Sequence, residues 1–161
     1  MSTTPQLQQL QVQRSVLIHS PRSRVWKALT EIGQFCQWFC TAQIDPASRF
    51  QPGVTVRLIS THEGPCQGAE FAMDIVDIVP ETLFSWRWHP GAPIAGQDLS
   101  AEPPTLVEFR LDEADGGTRV TVTESGFDRL FAHRQASAFQ DNDGGWKIQL
   151  VNLEQYARDA N

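Results

Sequence analysis

Asp143-Gly144-Gly145-Trp146-Lys147-Ile148-Gln149-Leu150-Val151-Asn152-Leu153-Glu154-Gln155-Tyr156-Ala157-Arg158 is the stretch that decides the fold. Trp146, Leu150, Leu153 and Ala157 recur at spacings of four, three and four, which is one face of a helix. Ile148, Val151 and Tyr156 are expected to widen that apolar stripe. Asp141, Asn142 and Asp143 offer side-chain oxygens that could cap the helix start, and Arg158 places a cation in the last turn, where the helix dipole favours it. A helix this apolar must bury against a large surface. The rest of the chain reads mostly as strands, and these supply it.

The chain has 161 residues, enough for one domain with a real core. Five Trp and nine Phe stand against a single Tyr, so many wholly apolar rings must fill a core or line a pocket. The net charge is −6 and no basic block occurs, which argues against nucleic acid and anionic membranes as partners. Three cysteines (Cys36, Cys40 and Cys66), with no CxxC pair and no export signal, point to a reduced cytoplasmic protein rather than a disulfide framework. No window has the length and apolarity of a transmembrane helix.

Working back from the helix, residues 1–11 read as a flexible tail and 12–161 as the domain. Val12 to His19 alternates as a first strand. Ser20-Pro21 reads as an N-cap followed by a proline at the first helical position. That helix is expected to run to about Ile32, carrying Val25, Leu29 and Ile32 on one face, with Gly33 closing it. A short second helix covers Gln34 to Phe39. Strands follow at Gly53 to Thr61, Ala69 to Val79 and Leu83 to His89. The last of these sets Phe84, Trp86 and Trp88 on one face and Ser85 and Arg87 on the other. Pro90 to Pro104, rich in Gly, Pro and Ala, is a loop at the rim. Thr105 to Asp112 and Thr118 to Glu124 form a hairpin with Val107, Phe109, Leu111, Val120 and Val122 on one side. Ser125 to Gln140 connects to the long helix, with a helical turn around Asp128 to Phe139. This order predicts an α+β fold: an antiparallel sheet curved around the terminal helix.

Four segments in this order carry a resemblance. They are Ser20-Pro21-x3-Val25-Trp26-x2-Leu29-Thr30, Pro80-Glu81-Thr82-Leu83-Phe84-Ser85-Trp86, Gly116-Gly117-Thr118-Arg119-Val120-Thr121-Val122-Thr123-Glu124-Ser125-Gly126-Phe127, and Gly145-Trp146-x3-Leu150-x2-Leu153-x2-Tyr156. Together they resemble the START-like (SRPBCC) superfamily with its helix-grip fold, and within it the branch named after the activator of heat-shock protein 90 ATPase (AHSA1-like). The resemblance covers roughly residues 12 to 158. It implies a seven-stranded antiparallel sheet gripping the long helix, and a hydrophobic cavity between them that holds a small apolar ligand in many members. It implies no single catalytic set and no cofactor. Members of this family are often homodimers. Its eukaryotic members that act on the chaperone carry a separate N-terminal domain, for which this chain leaves no room.

The expected cavity wall is Trp38, Phe39, Phe71, Met73, Trp86, Trp88, Phe109, Trp146, Leu150 and Leu153, because small-molecule sites are mostly apolar with a few polar anchors. Arg87, His89, Arg110 and Glu108 lie on strands near these residues, and one turned inward would anchor a polar ligand group. Cys36, Cys40, His62 and Cys66 include pairs four apart, but the spacing matches no familiar zinc knuckle, so no metal is expected. No Gly-x-Ser-x-Gly elbow or phosphate-binding glycine loop occurs, and no histidine has an evident partner in sequence. Asp74 and Asp77 fall on opposite faces of a regular strand. The leading expectation is a domain binding a small hydrophobic molecule. The alternatives are a cyclase-, dehydratase- or hydrolase-type enzyme using an inward His or Arg, and a module that contacts a chaperone partner through its surface.

Overall fold

The structure is a computed structural model, and it describes residues 11–39, 42–43, 48–60, 70–91 and 96–159. Its strands are β1 (Val12–Ile18), β2 (Ala42–Gln43), β3 (Thr55–Ser60), β4 (Glu70–Val79), β5 (Leu83–Trp88), β6 (Thr105–Ala114) and β7 (Gly117–Ser125). The helices are α1 (Arg22–Thr30), α2 (Ile32–Trp38) and α3 (Gln135–Asp159), the last preceded by short 3-10 turns at Phe127–Arg129 and Ala132–Arg134. All seven strands form one antiparallel sheet in the order β1-β7-β6-β5-β4-β3-β2. From β2 to β7 the chain is a plain meander, while β1 crosses to the far edge beside β7. The α1–α2 pair spans that crossing. This is the expected helix-grip architecture.

The face of α3 follows the spacing: Trp146, Leu150, Leu153 and Ala157 are all buried. Two expectations fail there. Ile148 and Val151 are exposed on the outer side rather than widening the stripe. The helix also begins at Gln135, so Asp141, Asn142 and Asp143 lie inside it and Gly144-Gly145 are mid-helix residues. The physical reason is tertiary. Arg14 of β1 grips the Asp143 carboxylate with two nitrogens at 2.9 and 3.1 Å. Asn142 bonds to β7 and to Gly91. These contacts outweigh the local cost of two glycines in a helix.

α1 starts one residue later than expected. Pro21 is the N-cap, and its carbonyl accepts from Arg24 and Val25. The Ser20 hydroxyl donates instead to the Ala157 carbonyl near the end of α3, at 3.4 Å. Glu31 adopts an extended conformation and ends α1, so Ile32 and Gly33 belong to α2. The Trp38 indole N–H then donates to the Ala28 carbonyl at 2.8 Å and locks the two helices together. Gly117 opens β7 directly against the Ile18 carbonyl of β1, where a Cβ has no room. A bulge in β4 between Ile75 and Ile78 resets the alternation, so Asp74 and Asp77 are both exposed rather than on opposite faces.

Candidate functional site

The grip is filled by rings. Phe84, Trp86 and Trp88 of β5 point toward α3, as alternation requires, and all three are buried. Trp86 stacks on Phe109 of β6 at 5.7 Å, and Trp88 stacks on Trp146 of α3 at 5.9 Å. Phe39 meets Trp88 and Trp146 at 6.2 and 6.1 Å, and Trp38 meets Phe109 at 6.5 Å. The rings assigned to the cavity wall are therefore brought together, with Met73, Leu150 and Leu153 buried in the same core. Phe71 sits at its margin, 6.0 Å from Trp88.

Within this core is a carboxyl group that sequence reasoning passed over. Glu124 of β7 is fully buried. Its Oε1 accepts from the Trp146 indole N–H at 2.8 Å and from the Asn142 amide at 2.8 Å. Its Oε2 accepts from the Trp88 indole N–H at 2.9 Å and from the Thr105 hydroxyl at 2.6 Å. One side chain thus ties β5, β6, β7 and α3 together through donors that stand in for water. The signal was present in the sequence. Thr118, Val120, Val122 and Glu124 share one face of β7, so alternation turns Glu124 inward with the valines. In contrast, the buried Trp86 indole N–H has no acceptor among the described residues.

An open pocket of about 230 Å³ adjoins this core where the ends of β4 and β5 face the turn before α3. Phe71, Ala72, Trp88, Pro90 and Leu99 give it apolar walls, while Glu70, His89, Gly91 and Arg134 add polar atoms. Arg134 is 3% exposed and Glu102 is 2% exposed. The Arg134 Nε and Nη2 donate to the Glu102 carboxylate at 3.0 Å, and Nη2 also donates to the Pro90 carbonyl at 2.8 Å. The Phe131 N–H donates to the same carboxylate at 3.0 Å. Burial is the largest single influence on Glu102 and acts to raise its pKa. The hydrogen bonds from Arg134 and Phe131, with the charges of Arg134 and His89, together outweigh it and hold the group below the usual carboxylate range.

His89 is the expected anchor that reaches this pocket. Its Nδ1 lies 3.8 Å from Glu102 Oε1, too long for a hydrogen bond, and Arg134 already occupies that carboxylate. Among the described residues, the pocket wall contains no Ser, Thr or Cys nucleophile. Arg87 and Arg110 are exposed on the opposite face of the sheet, and Glu108 pairs with Arg110 there at 3.4 Å. Alternation removes all three from the apolar side. Burial pushes the Cys36 thiol up in pKa, which makes it a poor nucleophile and a poor metal ligand. Cys40, His62 and Cys66 lie outside the described residues, as do the tail at 1–10 and positions 92–95 of the rim loop. Among the described residues, no helix is long and apolar enough to cross a membrane.

Comparison with known proteins gives consistent findings. A family model described as Activator of Hsp90 ATPase homolog 1-like protein matches residues 19–158. No curated protein matches the chain. Protein MLL2253 from Mesorhizobium loti has a similar structure, with a TM-score of 0.72 at 20% identity, covering 94% of this chain and 98% of that one. Protein Ms6760 from Mycobacterium smegmatis gives 0.70 at 18% identity, covering 92% and 91%. The Aha1 dimer from Colwellia psychrerythraea gives 0.68 at 17% identity, covering 94% and 98%. Identities this low speak for the fold alone. The family match runs from the end of β1 to the last turn of α3, and the chain belongs to the Activator of Hsp90 ATPase homolog 1-like family.

Proposed function

We propose that this domain binds a small, largely apolar molecule, and that the pocket beside Trp88 is where it enters the grip. The observation that carries the reading is the pocket itself. It combines apolar walls with a few fixed polar groups, the usual make-up of a small-molecule site. Its volume of about 230 Å³ lies below the ~300–1,000 Å³ of drug-sized sites, so the ligand is small. The rings of Trp38, Phe39, Trp86, Phe109 and Trp146 stand behind this wall and give it a rigid aromatic floor. Binding fits the site better than catalysis, because among the described residues the pocket wall offers no Ser, Thr or Cys nucleophile, and the Glu102 carboxylate 3.8 Å from His89 is already held by Arg134. The test is an NMR titration with indole, reading the side-chain N–H resonances. The Trp88 resonance should shift saturably in the parent and stay still in Leu99→Trp, which fills the pocket. A Trp88 signal that never moves would refute the reading.

A second reading concerns the outer face of α3. Ile148 is 62% exposed and Val151 48%, one helical turn apart. Since the Colwellia psychrerythraea protein was solved as a dimer, we propose a second copy of this chain as the occupant of that face. Light scattering should give a dimer mass for the parent and a monomer mass for Ile148→Glu. A parent that runs as a monomer at high micromolar concentration contradicts it.

A further inference from the structure

Arg134 brings an unused donor to the proposed pocket. Arg134 uses Nε and Nη2 on Glu102 and Pro90, and these bonds fix the plane of its guanidinium. Its Nη1 has no acceptor among the described residues, and it is not one of the atoms sealed from solvent without a partner. The residue forms part of the pocket wall. Gly91 explains why this nitrogen stays uncovered. With φ +89, Gly91 turns the chain tightly over the start of α3, and a Cβ there would lie 3.6 Å from Nη1 and 3.3 Å from Ala138. The Asn142 side chain holds the loop in place by accepting from the Gly91 N–H at 3.1 Å.

The charge around Nη1 narrows what it can take. Glu102 neutralises Arg134 within a buried pair, and Glu70 adds a carboxylate to the wall, itself paired with Arg57 at 3.1 Å. An anionic head group would meet these carboxylates with no uncommitted Arg or Lys among the described residues of the pocket wall. A neutral acceptor meets no such penalty, and a buried donor gains by being satisfied. On the same pocket wall, Phe71 and Trp88 present aromatic rings 6.0 Å apart that suit a flat partner.

We infer that the pocket selects small, flat, uncharged aromatic carbonyl compounds, with the carbonyl oxygen on Arg134 Nη1 and the ring against Trp88 and Phe71. This rests on the ligand-binding reading of the same pocket, and it names the ligand class. The test uses calorimetry on the full chain with three probes of one shape: 2-acetylnaphthalene, 2-isopropylnaphthalene and 2-naphthoate. The ketone should bind at least tenfold more tightly than either of the others. Arg134→Lys keeps a cation beside Glu102 but loses the fixed fork, and should erase that preference while the hydrocarbon still binds. If this variant does not fold, the comparison on the parent decides alone. Equal affinity for ketone and hydrocarbon overturns the inference and leaves the pocket reading standing. Naphthoate binding tightest overturns it in favour of an anion site. No binding of any probe overturns both.

Discussion

Replacing Glu124 with Gln keeps the shape of the side chain and changes one acceptor into a donor. Each oxygen of Glu124 faces donors. Oε1 receives Trp146 and Asn142, and Oε2 receives Trp88 and Thr105. With the new NH2 in the Oε1 position, Asn142 can flip to accept from it. That flip sacrifices the bond from the Gly91 N–H, and the Trp146 N–H still points at a donor. With the NH2 in the Oε2 position, Thr105 can rotate to accept, but the Trp88 N–H cannot adapt. Either way one indole N–H is stranded in the core. A hydrogen bond to a charged group contributes about 1.5–3 kcal/mol, and a stranded buried donor costs about 1–3 kcal/mol. Removing a charge from the interior recovers part of this. We expect Glu124→Gln to lose about 3 kcal/mol net, combining these terms. For a domain of this size that lowers Tm by roughly 6–12 °C. Scanning calorimetry or urea denaturation followed by circular dichroism reads it directly. A variant within about 1 kcal/mol of the parent would refute the view that Glu124 clamps the helix to the sheet, since surface-like substitutions stay inside that range.

Three further predictions follow from named contacts. Trp146→Phe deprives Glu124 of a donor, whereas Trp86→Phe removes an N–H that has no acceptor among the described residues. Both lose similar ring area, so urea denaturation should show Trp146→Phe the less stable by at least about 1.5 kcal/mol. Gly144 sits mid-helix, and a methyl group added there would meet nothing within 4 Å, so Gly144→Ala should stabilise by about 0.5–1 kcal/mol; a loss of stability would mean α3 starts later. Glu102 has a folded-state pKa below its ordinary value of 4.5. Its contribution is therefore complete above that value and is lost as pH falls through the lower folded value. Between pH 6 and 3 the parent should lose Tm more steeply than Glu102→Gln, and parallel curves would count against the paired carboxylate.

The path of the fold was legible because its signals are periodic. The spacing of Trp146, Leu150, Leu153 and Ala157 names the buried face of α3, and the alternation of Phe84, Trp86 and Trp88 names the inner face of β5. The start of α3 was not legible. Asp141 to Gly145 looks like a cap locally, and contacts with Arg14, Glu124 and Gly91 help hold it as helix. The site divides in the same way. Phe71, Trp88 and His89 could be named from strand positions, but Arg87 and Arg110 face away because alternation decides orientation. Glu102 and Arg134 stand 32 residues apart in segments without periodicity, so nothing local pairs them. Glu124 was within reach, since its parity with Val120 and Val122 turns a charge toward the core.

The most direct test of the central claim is native mass spectrometry of freshly purified protein. The account predicts added mass from a small bound molecule, which leaves when Leu99→Trp fills the pocket. A parent that carries no added mass, and gains none after exposure to 2-acetylnaphthalene, would contradict it.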